Sequence, residues 1–200
     1  MVKPVSKSHA IKLRARAGVE RLVLMTDSHR LPDPEAAIEQ LPAGSIVILR
    51  DYEAPNRLAL ATSLRQVSRK AGCWFLVAGD AALARTVKAD GIHLPEHMLR
   101  HKPLNLRGFS LVSAACHNRG ALRRAGSLGV DLAIVSPVFP TESHPGASAL
   151  GIHRLSRLIS GQRIAVAALG GISTRTAGHL RALKLAAVAG ISGIVDEAGG

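Results

Sequence analysis

With 200 residues and a hydrophobic fraction of 47%, the chain is long enough to bury one large core, which excludes disordered and fibrous classes. A formal net charge of +12 favours an anionic partner, but five aromatic residues (Tyr52, Trp74, Phe75, Phe109 and Phe139) provide no basic stripe interleaved with stacking side chains. A phosphorylated small molecule is therefore the expected partner, and nucleic acid is disfavoured.

Positive charge gathers first, where Lys3, Lys7, Lys12, Arg14, Arg16 and Arg21 are opposed only by Glu20. Residues 1–20 read as a basic extension, in which 8–17 forms a leading helix that packs on a domain spanning 21–200. From there, short apolar runs alternate with amphipathic stretches, and no linker interrupts them. Strands are predicted over 21–27, 45–51, 74–80, 91–95, 111–117, 132–139, 164–169 and 187–191. Helices are predicted over 33–41, 55–71, 81–89, 119–128, 153–159 and 174–183, several opened by Pro, Asn, Asp or Thr. Residues 96–107 are too interrupted by Pro and His for a helix.

Runs such as Ile46-Val-Ile-Leu49 and Ile164-Ala-Val-Ala167 are apolar without alternation, the pattern of parallel strands buried on both faces. Eight of them predict a closed (β/α)8 TIM barrel in a single domain. An open doubly wound sheet would carry a glycine-rich phosphate loop after its first strand, and Met25-Thr-Asp27 has no glycine. The last outer helix is expected to be truncated or missing, with the leading helix covering the gap. No apolar run approaches the ~18 residues of a membrane span, and there is no signal-peptide core. Cys73 and Cys116 have neither metal-ligand spacing nor a disulfide framework around them. A cytoplasmic protein without membrane attachment is expected, and homo-oligomerisation is left open.

Chemistry in a barrel collects at the C-terminal strand ends. These ends are polar: Thr26 and Asp27, Arg50 and Asp51, Gly79 and Asp80, His93, then Ser113, Cys116 and His117, then Ser136 before the loop 137–146. Arg50 suits a phosphate or pyrophosphate, and Asp80 suits a magnesium ion bridging phosphate oxygens. Each also has a structural reading: Arg50 with Asp51 as an ion pair, Asp80 as a helix N-cap, His93 as a satisfied interior histidine. His97, His101, His153 and His179 lack partners at metal-binding spacing. Gly170 and Gly171 end an apolar strand and precede Ile172, Ser173 and Thr174. Without a Cβ, they can take positive φ and admit a ligand close to the backbone, beside the N–H groups of a helix start. Val188-Ala-Gly-Ile-Ser-Gly193 ends the next strand similarly, as in barrel phosphate sites after strands 7 and 8. A tight turn is the structural alternative.

Taken in order, Leu22-Val-Leu-Met-Thr-Asp27, Val77-Ala-Gly-Asp80, Lys88-Ala-Asp-Gly-Ile-His-Leu94, Gly129-Val-Asp131, Ser136-Pro-Val-Phe-Pro-Thr141 and Ala168-Leu-Gly-Gly-Ile172 are similar to the thiamine phosphate synthase and TenI family. The resemblance covers roughly 21–194. It implies a TIM barrel and a transferase of thiamine biosynthesis, in which a pyrimidine pyrophosphate loses its leaving group and a thiazole phosphate nitrogen captures the carbocation. It also implies Mg²⁺ at Asp80, anion binding by Arg50, and a thiazole phosphate held by Gly170, Gly171, Ile191 and Ser192, with Thr141, Ser143 and His144 beside them. Ser113 and His117 join Arg50 as candidate catalytic residues.

The chain departs from the family pattern at several positions. Tyr52 stands where a lysine is expected, Gly79 for an asparagine, Glu96 for a glutamine, Met98 for the second magnesium aspartate and His144 for a lysine. Most of these fall on the pyrophosphate and metal half. Two alternatives therefore stand beside the synthase: a TenI-like thiazole tautomerase with His117 as acid and base, and a non-catalytic thiazole phosphate-binding protein.

Overall fold

The computed structural model describes residues 7–100, 105–141 and 149–195, with side chains at Ala10 and from Leu13 onward. Eight parallel strands form the sheet: β1 (Arg21–Met25), β2 (Ile46–Leu49), β3 (Trp74–Ala78), β4 (Gly91–Leu94), β5 (Leu111–Cys116), β6 (Leu132–Val135), β7 (Ala165–Leu169) and β8 (Ala187–Gly190). Each pairs with its sequence neighbours, and β8 returns to β1 with Arg21 opposite Ala187 and Leu24 opposite Gly190. This is the predicted closed barrel. Leu22, Val23, Leu24, Val47, Ile48 and Leu49 are fully buried because alternate side chains enter the barrel or meet the outer layer. Burying each such side chain contributes about 1.5–3 kcal/mol.

The outer layer contains α2 (Pro34–Glu39), α3 (Arg57–Lys70), α4 (Ala81–Thr86), α5 (Arg119–Ser127) and α6 (Gly151–Ile159). The start signals work as the sequence suggests. Asp33, Asn56, Asp80 and Asn118 are N-caps whose side chains accept the N–H of Ala36, Ala59, Leu83 and Ala121 at 2.9–3.1 Å. On α3, Ala61, Leu64 and Ser68 form the buried stripe.

A leading helix, α1 (Lys7–Ala17), presents Ala10, Leu13 and Ala17 to the core. It packs against β1 and against the two short 3₁₀ segments Ala177–Leu180 and Ser192–Ile194. Arg16 adds a hydrogen bond from Nη1 to the Thr174 carbonyl at 2.8 Å. Among the described residues β8 is followed only by the Ser192–Ile194 turn, and α1 fills that part of the outer layer. No helix among them is long and apolar enough to cross a membrane.

Three elements differ from expectation. In place of a helix over 174–183 there is one 3₁₀ turn, Ala177–Leu180. The Thr176 hydroxyl donates to the Gly171 carbonyl and accepts the Ser173 N–H, both at 2.9 Å, so it satisfies locally the groups a helix start would have used. The strand expected over 132–139 stops at Val135, after which the chain crosses to the end of β7: Val138 N donates to Leu169 O and Phe139 N to Gly170 O. The segment after β4 forms a 3₁₀ turn, Glu96–Arg100.

The N-terminal face is stitched by carboxylates. Asp90 accepts the Phe75 N–H at 2.8 Å and is held bidentately by Arg65 at 2.7 and 2.9 Å, while Asp131 accepts the Val112 N–H at 2.8 Å. A Cβ at Gly91 would lie 1.9 Å from the Leu111 carbonyl oxygen, so only glycine fits. The Ala-Asp-Gly and Gly-Val-Asp motifs thus serve barrel closure at the face opposite the chemistry. The docking of α1 is testable through Leu13, which is fully buried: Leu13→Ala is expected to cost about 2–5 kcal/mol in chemical denaturation.

Candidate active site at the C-terminal mouth

The polar strand ends meet around one mouth as a sequence of local networks. At β1 and β2, Asp51 accepts the Thr26 hydroxyl and the Ser28 N–H, the latter at 2.6 Å, and Thr26 Oγ1 accepts the Arg50 N–H at 3.0 Å. Arg50 Nη2 pairs with Asp27 Oδ2 at 2.5 Å. The Arg50–Asp51 pairing considered from the sequence is therefore replaced by Arg50–Asp27, with Asp51 anchoring the β1 loop.

Between β2 and β3 stands a residue that the sequence reading missed. Arg57, the first residue of α3, reaches back to the strand ends, donating from Nε to Asp51 O at 3.0 Å and from Nη2 to Ala78 O at 2.7 Å. Its Nη1 lies 3.8 Å from Asp80 Oδ2, and its guanidinium sits 5.3 Å from the Tyr52 ring centroid. The signal for it is the Asn56 cap: a helix starting directly after a barrel strand end puts its first residue at the mouth. Partial burial raises the Tyr52 phenol above its ordinary range, against the lowering effect of Arg50 and Arg57. Gly79 has φ +72°, and a Cβ there would lie 3.2 Å from Tyr52 Cε1. The ring at 52 and the missing side chain at 79 are thus one packing arrangement.

Inside the barrel, His93 Nδ1 and Ser113 Oγ are 2.9 Å apart, with the two residues 2% and 0% exposed. This is the satisfied interior histidine, and it places Ser113 below the mouth as a buried partner. Burial, and secondarily the charge of Arg50, lower His93 to about 3. At the rim, His117 Nδ1 donates to the Ser136 carbonyl at 2.9 Å. Glu96 accepts the His117 N–H at 2.7 Å and the Asn118 side-chain amide at 3.2 Å.

Gly170 (φ +100°) and Gly171 (φ +63°) take the expected positive φ, but the close approach they permit is made by the chain itself. A Cβ would lie 2.9 Å from Pro137 Cα at the first and 2.4 Å from Pro140 O at the second. Gly193 in turn would put a Cβ 2.8 Å from Ile172 O, so the ends of β7 and β8 lie side by side. Gly170, Gly171, Ile191 and Ser192 are thereby brought together with the loop leading to Thr141. Ser143 and His144 lie outside the described residues.

The family model for thiamine monophosphate synthase matches residues 22–194. The chain belongs to this family. It is 27% identical over 179 residues to a thiamine-phosphate synthase of Pyrococcus furiosus, covering 88% of this chain and 86% of that protein. It is 31% identical over 150 residues to one of Lactococcus lactis, covering 73% and 70%. Among solved structures, a thiamine phosphate pyrophosphorylase from Pyrococcus furiosus has the same fold, with a TM-score of 0.70, 22% identity and coverage of 92% and 91%.

The magnesium implied by the family resemblance can be tested against the side chains present. Asp80 Oδ1 is engaged as the α4 cap, its Oδ2 faces Arg57, and Glu96 is engaged with His117 and Asn118. Met98 offers only a thioether, packed against the core. Among the described residues no group of three His, Cys, Asp or Glu side chains could hold a metal. These engagements leave Asp80 Oδ2 as the free oxygen of the pair, so a magnesium ion here would take most of its coordination from substrate phosphate oxygens and water.

Two outcomes follow from the geometry. The unfolded chain protonates His93 near its ordinary 6.5 while the folded one resists protonation until about 3, so stability falls as pH drops through that interval. Denaturant titrations between about pH 7 and pH 5 are expected to show a larger loss for wild type than for His93→Gln. Gly171→Ala is expected to displace the Pro137–Pro140 loop, read as at least a tenfold rise in KM for the phosphate substrate, about 1.4 kcal/mol.

Proposed function

We propose that this protein is a thiamine phosphate synthase, a transferase joining a pyrimidine pyrophosphate to a thiazole phosphate. The observation that carries the reading is the family match along nearly the whole barrel, together with phosphate-compatible groups on two opposed parts of one mouth. On one side stand Arg50 and Arg57; on the other, the paired ends of β7 and β8 with Gly170, Gly171, Ile191 and Ser192. The thiazole tautomerase and the non-catalytic binder draw no support from relatives that carry synthase names.

In the reaction the C–O bond to the pyrimidine methylene breaks, and its electron pair leaves with pyrophosphate. The thiazole nitrogen lone pair then forms the new C–N bond. The chain needs no nucleophile for this, since charge stabilisation and alignment suffice. Arg50, oriented by Asp27 and by its backbone bond to Thr26, provides a guanidinium to the leaving oxygens. Neutral His93 and Ser113 give the barrel interior a polar, uncharged floor.

The test is direct assay of purified protein with both substrates. Thiamine phosphate and pyrophosphate are expected in equal amounts, and Arg50→Ala is expected to lower kcat/KM by about a hundredfold. Absence of thiamine phosphate, while an established synthase produces it in parallel, would overturn the reading.

A further inference from the structure

We infer that Arg57 receives the pyrophosphate end of the substrate together with Arg50, its guanidinium supplying fixed positive charge at the mouth. The inference rests on the synthase reading and adds to it a residue and an electrostatic strategy.

Four observations carry it. Arg57 is fixed in orientation by two backbone carbonyls, Asp51 O and Ala78 O, belonging to the ends of adjacent strands. Those bonds use two of its five N–H donors and cancel none of its charge, so three donors remain for a ligand. The neighbouring carboxylate, Asp80, lies at 3.8 Å, beyond hydrogen-bonding distance, and one of its oxygens is committed to capping α4. The Arg57 guanidinium lies 5.3 Å from the ring centroid of half-exposed Tyr52, two residues after Arg50 at the end of β2, so both cations stand at the same part of the mouth.

A guanidinium fork held in this way binds phosphate oxygens bidentately, and it needs no reorganisation as charge grows on the leaving group. Asp80 then serves as cap and as a screen on Arg57. One substitution separates the two roles, since Asn caps a helix as well as Asp but carries no charge.

The experiment is calorimetric titration of the full chain with inorganic pyrophosphate, in EDTA and in magnesium, with melting curves of every variant. Wild type is expected to bind in EDTA; Arg57→Gln to lose about tenfold or more in affinity; and Asp80→Asn to bind as tightly as wild type or more tightly. Binding that requires magnesium overturns the inference, as does a loss smaller than tenfold in a folded Arg57→Gln. Should Arg57→Gln not fold, Asp80→Asn decides, and weakening by about fivefold or more overturns the assignment. Failure of the synthase reading shows separately, as absence of thiamine phosphate from both substrates under either metal condition.

Discussion

Parallel pairing of β8 with β1, from Arg21 opposite Ala187 to Leu24 opposite Gly190, closes the sheet and decides which residues share a mouth. Once the register is set, Asp27, Arg50, Asp80, His117 and Gly170 stand on one rim although they are spread over 144 residue numbers, 170 minus 27 counted inclusively. The closure is underwritten at the opposite rim. There Asp90 and Asp131 accept backbone N–H groups from neighbouring strands, and Gly91 lets β4 and β5 approach within a distance that no side chain allows. Backbone stitching by carboxylates thus lies at the rim opposite the polar mouth, where Asp51 and Arg57 tie the strand ends through side chains.

Much of the architecture was legible because burial on both faces leaves an unmistakable pattern. Ile46-Val-Ile-Leu49 has no polar face, and a helix of four residues could not be stable, so a parallel strand was the remaining reading. Helix starts were equally legible, since Asp33, Asn56, Asp80 and Asn118 each solve a local hydrogen-bond problem at the point where they occur. The failures have the complementary cause. Thr176 looked compatible with a helix, but its hydroxyl bonds to Gly171 across a turn; Val138 and Phe139 read as strand because they do pair, to the end of β7, though outside β6. These are non-local competitions that periodicity does not encode.

The site was readable to the same limit. Strand-end polarity placed Arg50, Asp80 and His117 at the mouth, because position along a strand is a local property. Arg57 escaped because nothing in Asn56-Arg57-Leu58 distinguishes a guanidinium turned toward the mouth from the many that decorate outer helices. Its orientation comes from two carbonyls, at Asp51 and Ala78, that belong to different strands. The conformation of Gly170 and Gly171 was legible but the segment packed on them was not, since φ is a local quantity and the atoms of Pro137 and Pro140 that crowd them are not.

The contact between Tyr52 and the missing side chain at Gly79 bears on how this chain could have diverged from, or return to, the common family pattern. With φ at +72° and the ring 3.2 Å from where a Cβ would stand, a side chain at 79 takes up a strained backbone and pushes the Tyr52 ring by a few tenths of an ångström. A smaller residue at 52 beside glycine would take away the ring that Arg57 overlies. An exchange at either position is therefore felt at the other, so the two are coupled. The effects of restoring lysine at 52 and asparagine at 79 are accordingly non-additive.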